Sequence, residues 1–577
     1  MEEILAKATR RVQELFRDFL TLLKRMVALS SRPSDSSRPK RRSFSGGKRR
    51  RRTLDDLAQE VKELFTGHLN SSNLLSMSKK IRTQINAAAT SSPVSMLPSF
   101  NHTLPTGKEK GTYVALDVGG STFRVALVEL SGDGHLKIVR MKTCPIDETI
   151  KLLEGRAFFE WMAERIEEML HDGQEKYGHD SEPVVMGMSW SFPIDQTSVR
   201  SGRVLSMGKG FLCSNGTTGE DLAELIMEAC KKRNLNVEIH AILNDSSATL
   251  LSRAYTDTST RVSLILGTGT NAAIHFPVHA IGIDKFGNRS AEWFAQANNV
   301  IVNTELSMFG GKGALPTTPW DDVLNRTHLK PDFQPLEYMC TGRYIGEIVR
   351  LIMVDAVKTA GLFSGLLPDS LRTPYSFDTA IPAFIQEDTS PSLSASSAYL
   401  QKHHNFVNPP SASDLQFLKK ICDSITTRAA AYIATAIHAL WCLRNSNEDP
   451  PTPPTPDSSM KGDQDLDSLQ TLEHAAAKRQ STSSTLNVSI ACEGAVISKY
   501  PGFREQCQQY LNELTMEDKP DGTPPSPPLS PSNSEVASPS KQPISSTIAA
   551  PTIMLDLAPE SAIFGAAVAV AVAVAQD

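Results

Sequence analysis

The sequence has few cysteines for its length. Eight cysteines are scattered through 577 residues, with no C-x-x-C pair and no short regular spacing. Disulfide-rich secreted domains and zinc ribbons both depend on closely spaced cysteines. The pattern therefore argues against either framework and favours free thiols in a reducing compartment.

Long apolar runs and a strong excess of one charge are also missing. No stretch of about 18 or more residues is uniformly apolar, so no transmembrane helix is expected. The start MEEILAKATRR lacks the basic-then-apolar order of a secretory signal. The net charge of −5 argues against nucleic-acid binding over the whole surface. The 40% of hydrophobic residues is ample for a sizeable core, and the length suggests two or more lobes.

The first 52 residues read as an appendage. Residues 3–29 place apolar side chains at helical spacing with Lys and Arg between them, which indicates a basic amphipathic helix. Such a helix docks on its own protein or a partner, or lies on a membrane surface. Residues 30–52 are too polar to order, and their basic clusters Arg38–Arg42 and Lys48–Arg52 are typical of a bipartite nuclear import signal. The localisation expected is nucleus or cytoplasm, with the mitochondrial surface as the alternative.

Residues 54–445 have the pattern of a compact α/β region. Apolar and alternating runs predict strands at 112–118, 123–130, 136–142, 184–191, 238–243 and 262–266. Helical periodicity predicts helices at 157–170, 219–233 and 343–359 and a long apolar helix near 425–441.

Two Pro/Ser-rich segments interrupt the C-terminal part. They span about 445–485 and 516–546 and predict disorder. They are tolerated surface loops or, through their Ser-Pro and Thr-Pro steps, phosphorylation sites that recruit regulatory protein partners.

Two glycine turns repeat one pattern. YVALDVGGSTFRVALVEL at 113–130 and RVSLILGTGTNAAIHF at 261–276 both read as strand, glycine turn and strand. Each is either an ordinary tight hairpin or a turn whose N–H groups face one side of a polyphosphate. Their repetition predicts a duplicated lobe.

Nine collinear segments resemble the eukaryotic hexokinases. They are GTYVALDVGGSTFRVALVEL, GMSWSFP, GKGF, AILNDSSATLL, LILGTGTNAAIHF, VIVNTELSMFGG, GRYIGEIVRLIM, LRTPYSFDTAIPAFIQED and ISKYPGFREQ. The resemblance covers 54–505 and 551–570 apart from the two insertions. It implies an α/β, two-lobed actin-like ATPase (ribonuclease H-like) fold behind a disordered basic extension. The expected divisions are 1–52, a small-lobe region at 53–242 and a large-lobe region at 243–577.

The resemblance also implies the reaction and its residues. Mg-ATP would phosphorylate the 6-hydroxyl of a hexose such as glucose, with Asp245 as the base and Lys209 contacting the transferred group. A carboxylate can accept the proton of a poorly nucleophilic hydroxyl, although an Asp after a strand is also a common helix cap. The positions that match hexose contacts are Ser191, Phe192, Lys209, Asn244, Asp245, Asn271, Glu305 and Glu337.

The nucleotide side is assigned in the same way. Asp117 matches the magnesium-holding aspartate of the family. The positions that match phosphate or nucleotide contacts are Gly119, Gly120, Ser121, Arg124, Gly267, Thr268, Gly269 and Gly494.

Four departures from the family pattern bear on activity. Thr122 replaces an asparagine, which changes the hydrogen-bond capacity. Gly208 replaces a sugar-contacting threonine, and the lost hydrogen bond can leave its partner unpaired at a cost of about 1–3 kcal/mol. Leu306–Phe309 replace Trp-Gly-Ala-Phe. Glu493-Gly494-Ala495 replace Asp-Gly-Ser, and Ser561–Phe564 replace a glycine loop near adenosine, where Ile and Phe are expected to add bulk.

These departures favour a divergent fungal hexokinase-like protein with weak or lost activity and a sugar-sensing, regulatory role. The alternatives are a fully active glycolytic hexokinase and, as a minor one, a nucleic-acid-associated protein that uses the basic tail.

Overall fold

The computed structural model describes residues 52–171, 182–205, 207, 210–447, 487–518 and 552–575. The predicted amphipathic helix at 3–29 and the basic clusters at 38–52 lie outside these residues, apart from Arg52. Most of the two Pro/Ser-rich segments lies outside them as well.

The strands follow the glycine turns and apolar runs of the sequence. They are β1 (Leu97–Pro98), β2 (Lys110–Val118), β3 (Thr122–Gly132), β4 (His135–Pro145), β5 (Val184–Trp190), β6 (Ile194–Gln196), β7 (Gly202–Val204), β8 (Val237–Leu243), β9 (Val262–Leu266), β10 (Thr270–Pro277), β11 (Asn299–Asn303), β12 (Asn487–Glu493) and β13 (Thr552–Leu557).

The helices surround and separate the sheets. They are α1 (Leu54–Thr66), α2 (Ser71–Ser91), α3 (Glu148–Lys151), α4 (Arg156–His171), α5 (Leu222–Lys231), α6 (Asp245–Thr256), α7 (Ala291–Gln296), α8 (Pro319–Thr327), α9 (Pro335–Cys340), α10 (Gly342–Thr359), α11 (Ala380–Glu387), α12 (Ser394–His403), α13 (Ala412–Ser446), α14 (Ala495–Lys499), α15 (Phe503–Glu517) and α16 (Ser561–Val574). In the described part of the chain, no helix has both the length and the apolar composition needed to cross a bilayer.

Two sheets share one strand order. The first is β4-β3-β2-β5-β8, and the second is β11-β10-β9-β12-β13 with β1 added at its edge. In each sheet the first three strands are antiparallel and the last two run parallel to the central strand. Each glycine turn joins the first two strands of its sheet in chain order. The predicted duplication of the lobe is therefore confirmed at the level of sheet topology.

The helices at the two chain ends cross between the lobes. Helices α1 and α2 pack against α13 and belong to the core of the second sheet. Helix α16 packs against α6 and against β2 and β5 of the first sheet. The division expected at 242/243 stays a prediction. In the structure β1, α1 and α2 precede that position but lie with the second sheet, and α16 follows it but packs on the first sheet.

Helix α13 runs through the core of the second lobe. Ser411 and Asp414 form a capping box at its start, and the predicted apolar run at 425–441 is buried inside it. Arg428 is fully buried, donates two hydrogen bonds to Asp321, and packs on Phe65. The helix continues to Ser446, one residue past the predicted start of the first insertion at about 445, and α15 continues to Glu517, one residue past the predicted start of the second at about 516.

Candidate active site

The candidate base lies at the first position of α6. Asn244 is the residue that caps this helix, because its Oδ1 accepts from the backbone N–H of Ser246 at 3.0 Å and from the Ser246 hydroxyl at 2.7 Å. The cap position that was the alternative interpretation of Asp245 is therefore occupied by Asn244, and Asp245 is the first residue of the helix. Asp245 Oδ1 also accepts the Ser246 N–H, at 2.7 Å, so the two side chains share one donor.

A strand end of the first sheet reaches the same carboxylate. Ser191 directly follows β5, its N–H donates to Val118 O at 3.1 Å, and its Oγ donates to Asp245 Oδ2 at 3.1 Å. Phe192 is only 6% exposed and packs on Trp190 and Phe211 with ring centroids 5.3 and 4.8 Å away. The structure therefore joins Ser191 to Asp245 and places Phe192 in the aromatic core beside them.

Asp117 and Arg124 face each other across the first glycine turn. They are directly paired residues of β2 and β3, and both Nε and Nη2 of Arg124 donate to Asp117 Oδ2, at 2.9 and 2.7 Å. Arg124 Nη1 donates to Glu560 Oε2 at 2.5 Å. Burial raises the pKa of Asp117, and the Arg124 guanidinium opposes that rise. The Arg124 guanidinium thus bridges Asp117, next to the turn, and Glu560, the residue before α16.

The first turn itself is tight. The N–H of Gly119 donates to Thr122 O at 3.0 Å, which closes the turn through Gly120 and Ser121. The carbonyl of Ser121 accepts the N–H of Ile146 at 2.9 Å, and the Ser121 side chain is exposed. A fixed, exposed turn of this kind can present a hydroxyl and N–H groups to an anion.

The second turn is held by the start of α10. The carbonyls of Gly267 and Thr268 accept the N–H groups of Gly342 at 2.8 Å and Arg343 at 3.1 Å. Gly494 has a φ of +118°, and a Cβ there would lie 2.4 Å from Leu266 O. Glycine is therefore required at 494, because a side chain would push β12 away from the turn.

Glu337 and Gly269 are neighbours at the second turn. Glu337 Oε2 accepts the N–H of Thr270 at 3.1 Å, and a Cβ on Gly269 would lie 2.6 Å from the same oxygen. The absence of a side chain at 269 thus leaves room for the Glu337 carboxylate.

Asn303 is a site residue that sequence reasoning missed. Asn271 Nδ2 donates to Asn303 Oδ1 at 2.9 Å, and Asn303 Nδ2 donates to Glu305 Oε1 at 2.9 Å. Glu305 itself has a left-handed φ of +52°, and the Leu306–Met308 turn that follows it is short and 3-10 helical. The only sequence signal was the position of Asn303 in VIVNTEL, two residues before the glutamate.

Several carboxylates lie close together on the side of the site that is predicted to bind the nucleotide. The Ser561 hydroxyl donates to Glu493 Oε2 and also pairs with Thr249 Oγ1 at 2.7 Å. Burial raises the pKa of Glu493 to about 7, Arg124 opposes the rise, and Asp117 is the first of the nearby carboxylates that add to it.

The stretch expected to be a bulky loop is the first turn of a helix. Residues Ser561–Val574 form α16, and Ile563 is fully buried among the side chains of α6 and the first sheet. A Cβ on Gly565 would lie 2.0 Å from Ala248 O, so the two helices are in close backbone contact. The prediction that Ile563 adds bulk beside adenosine is wrong in this respect, because its side chain fills the core.

Two residues of the predicted sugar segment at 207–211, Gly208 and Lys209, lie outside the described residues. Met207 and Phe211 of the same segment are buried, at 1% and 5% exposure. The role of Lys209 therefore stays a prediction.

The donor set fits Mg-ATP on its phosphate side. Asp117 offers a carboxylate of the kind that Mg²⁺ prefers, and Arg124 beside it suits a phosphate oxygen. The turn at 119–121 is accessible at Ser121, and the glycine at 119 suits it because a Cβ there would make a tight 3.3 Å contact with Thr122 O.

Comparison with protein families decides the class. Two family models, both described as hexokinase, match residues 58–255 and 261–572, and the second alone spans more than half of the chain. This chain belongs to the hexokinase family.

Individual relatives agree with the family. The chain is 27% identical over 464 residues to Hexokinase-1 of Saccharomyces cerevisiae, which covers 80% of this chain and 86% of that one. It is 31% identical over 429 residues to the chloroplastic Hexokinase-2 of Nicotiana tabacum, covering 73% and 77%. The structure of a Schistosoma mansoni hexokinase complexed with glucose matches with a TM-score of 0.66 at 24% identity, over 90% of this chain and all of that one. The two-lobed hexokinase fold is therefore confirmed.

Proposed function

We propose that this protein binds a hexose and transfers the γ-phosphoryl group of Mg-ATP to the sugar 6-hydroxyl. The observation that carries the proposal is the 3.1 Å hydrogen bond from Ser191 Oγ to Asp245 Oδ2. It brings the matched sugar-contact serine and the matched base together where a strand end of the first sheet meets α6. A glucose-bound hexokinase among the structural neighbours supports a hexose as the acceptor.

Asp245 is suited to act as the base. Its two oxygens accept hydrogen bonds from the Ser191 hydroxyl and the Ser246 N–H, which hold the carboxylate in one orientation. A carboxylate accepts hydrogen bonds on both oxygens, so a group oriented in this way can accept the proton of a sugar hydroxyl. Accepting that proton as the hydroxyl oxygen attacks phosphorus makes the hydroxyl a better nucleophile.

The second lobe supplies the groups proposed to orient the sugar. Asn303 bridges Asn271 and Glu305, so the amide and the carboxylate are held relative to each other. Glu337 is fixed by the N–H of Thr270. A polyol that loses its water needs such partners for each buried hydroxyl, and a missing partner costs about 1–3 kcal/mol.

The phosphate side is proposed to use the first turn. Asp117 would hold Mg²⁺, which supplies charge neutralisation of the phosphate oxygens when bound. Arg124 would neutralise further phosphate charge, and Lys209 is proposed for the transferred group from the family match. Positioning and charge stabilisation of this kind are the main protein contributions to phosphoryl transfer.

The second candidate function is sugar sensing with slow or absent turnover, and one observation favours it. Asp117, Glu493 and Glu560 surround the single guanidinium of Arg124 on the nucleotide side. A polyanionic nucleotide is repelled by ionised carboxylates there. We propose that this crowding weakens Mg-ATP binding while the sugar side stays competent.

A coupled assay tests the first candidate. Purified full-length protein, Mg-ATP and glucose are mixed, and glucose 6-phosphate formation is followed through a dehydrogenase. Asp245→Asn keeps the shape but removes the base, so kcat is expected to fall about 10²–10⁴-fold. The matched control is Asp284→Asn, an exposed aspartate in the turn after β10, which is expected to leave kcat unchanged.

Two outcomes separate the candidates. Turnover that is unaffected by Asp245→Asn would contradict the proposed base. Tight glucose binding by calorimetry, combined with no turnover at saturating Mg-ATP, would reject the first candidate in favour of sugar sensing.

Localisation and partners are proposed from the sequence alone. We propose that the basic clusters at 38–52 direct the protein to the nucleus and that the Pro/Ser-rich insertions recruit regulatory proteins. Deleting residues 30–52 from a fluorescent fusion should release it into the cytoplasm. An unchanged nuclear pattern would reject the import signal, and a mitochondrial pattern would favour residues 3–29 as a surface anchor.

A further inference from the structure

Three metal-binding side chains meet between helices α13 and α15, outside the candidate active site. His438 and Cys442 lie one turn apart on α13, and Asp518 directly follows α15. His438 and Cys442 are 1% and 7% exposed, while the Asp518 side chain is 29% exposed. The candidate catalytic groups, by contrast, lie on strand ends, on turns and at the starts of α6 and α16.

The triangle of ligand atoms has the size of a tetrahedral zinc site. Cys442 Sγ lies 3.5 Å from His438 Nε2 and 3.2 Å from Asp518 Oδ2, and Nε2 lies 3.6 Å from that oxygen. Zn–S bonds of about 2.3 Å and Zn–N or Zn–O bonds of about 2.0–2.1 Å at tetrahedral angles require ligand separations of roughly 3.3–3.6 Å. The three separations match those values, but Cys442 Sγ also lies 3.7 Å from Nδ1, so a Cys442 rotation that moves Sγ toward the Nε2 side of the ring is required for one ion to contact all three atoms.

We propose that His438, Cys442 and Asp518 bind one Zn²⁺ ion, with a water molecule in the fourth position. A nitrogen, a sulfur and an oxygen ligand together suit zinc better than magnesium or calcium, which prefer oxygen alone. On binding, the Cys442 thiol releases its proton to solvent and the thiolate sulfur bonds to the metal.

The histidine is prepared for this role by its neighbours. Ser78 Oγ on α2 lies 2.9 Å from His438 Nδ1, so Nε2 is the ring nitrogen left for a metal, 3.6 Å from Asp518 Oδ2. A partner on the second ring nitrogen is the usual means of orienting a metal-bound histidine.

The charges around the site are compatible with a divalent ion. Thiolate and carboxylate together carry two negative charges, and Arg82 on α2 is the nearby cation.

The three residues lie where α13 and α15 end and the two insertions begin. Cys442 lies four residues before the end of α13, after which the insertion at 448–486 begins. Asp518 is the last described residue before the segment at 519–551. A zinc ion here would clamp together the points where both insertions leave the fold.

Metal content and affinity test the proposal on the full-length protein. The protein is stripped by dialysis against a chelator and titrated with Zn²⁺, and in parallel with Co²⁺, whose thiolate complex has a charge-transfer absorption. One equivalent is expected to bind and to raise the thermal unfolding midpoint. Asp518→Asn and Cys442→Ser should each weaken binding about tenfold or more, and Ser78→Ala should weaken it about tenfold. Glu517→Gln, an exposed carboxylate beside Asp518, is the matched control and should bind like wild type.

Several results would overturn the site. Wild-type protein that takes up only trace zinc would do so, because the three groups would then be a thiol–carboxylate hydrogen-bond cluster. Equal zinc affinity in wild type, Asp518→Asn and Cys442→Ser would place the metal elsewhere. If Cys442→Ser fails to fold, Asp518→Asn alone decides, since that half-buried side chain lies at a helix end.

Discussion

The substitution Glu493→Gln should stabilise the protein in a pH-dependent way. Glu493 lies at the end of β12, accepts the Ser561 hydroxyl, and is surrounded by other carboxylates. Its pKa is raised from the ordinary 4.5 to about 7, first by burial and then by the charges of Asp117, Glu560 and Asp245, against the opposing Arg124. Gln has nearly the same shape and keeps an oxygen for Ser561, but it never ionises.

The sign and size of the change in the free energy of unfolding follow from the linkage between folding and proton binding. Between pH 4.5 and about 7 the folded state binds more protons at Glu493 than the unfolded state does, so stability falls as the pH rises. Each unit of raised pKa corresponds to about 1.4 kcal/mol, so the full loss is up to about 3 kcal/mol above pH 7. Glu493→Gln should therefore match wild type near pH 4.5, gain stability through pH 7, and keep a constant advantage above it.

Denaturant unfolding from pH 4.5 to 8.5 measures this difference. Glu505→Gln removes an exposed carboxylate from nearby α15 and is expected to change stability little at any pH. The same loss of charge should lower the KM for ATP at pH 8 more than at pH 5.5. A Glu493→Gln advantage that stays constant across the pH range, or that is absent at pH 8, would refute the reasoning.

Three further substitutions test the packing and the polar bridges. Gly565→Ala should lower the thermal unfolding midpoint, because overpacking costs about 1–3 kcal/mol and exceeds the gain of about 1 kcal/mol in helix propensity. The control Val574→Ile adds a methyl group on the exposed side of the same helix and should have little effect. Equal midpoints for the two variants would contradict the close contact between α6 and α16. Asn303→Ala should raise the glucose KM about tenfold with a smaller change in kcat, and an unchanged KM would remove its bridging role. Arg124→Met should lower the free energy of unfolding by about 2 kcal/mol or more because it leaves Asp117 unpaired, and Arg124→Lys should lower it less. Calorimetric unfolding measures both variants, and equal losses would contradict the role of the guanidinium.

Local periodicity was enough to find the strands that lead to the site in both sheets. The runs predicted at 184–191 and 262–266 became Val184–Trp190 and Val262–Leu266, because buried parallel strands are short, continuous and apolar. The two glycine turns repeated in the sequence, so the duplicated topology could also be predicted.

Spatial relations between distant segments could not be predicted in this way. Asn303 lies 32 residues after its partner Asn271, and neither residue signals the other in sequence. The bulky loop expected at Ser561–Phe564, in place of the family's glycine loop, is the start of a helix, in which the apolar side chain of Ile563 is buried against α6. Cys442 and Asp518 meet only through the packing of α13 on α15.

The contact between α6 and α16 makes the two halves of the candidate site interdependent. Asp245 is at the first position of α6, and Ser561 is at the first position of α16. The 2.0 Å separation between an imagined Cβ on Gly565 and Ala248 O shows that the helices cannot move independently without losing this packing. A substitution in the first turn of α16 should therefore shift kcat through the base as well as the KM for ATP, whereas a defect confined to nucleotide binding would change the KM alone.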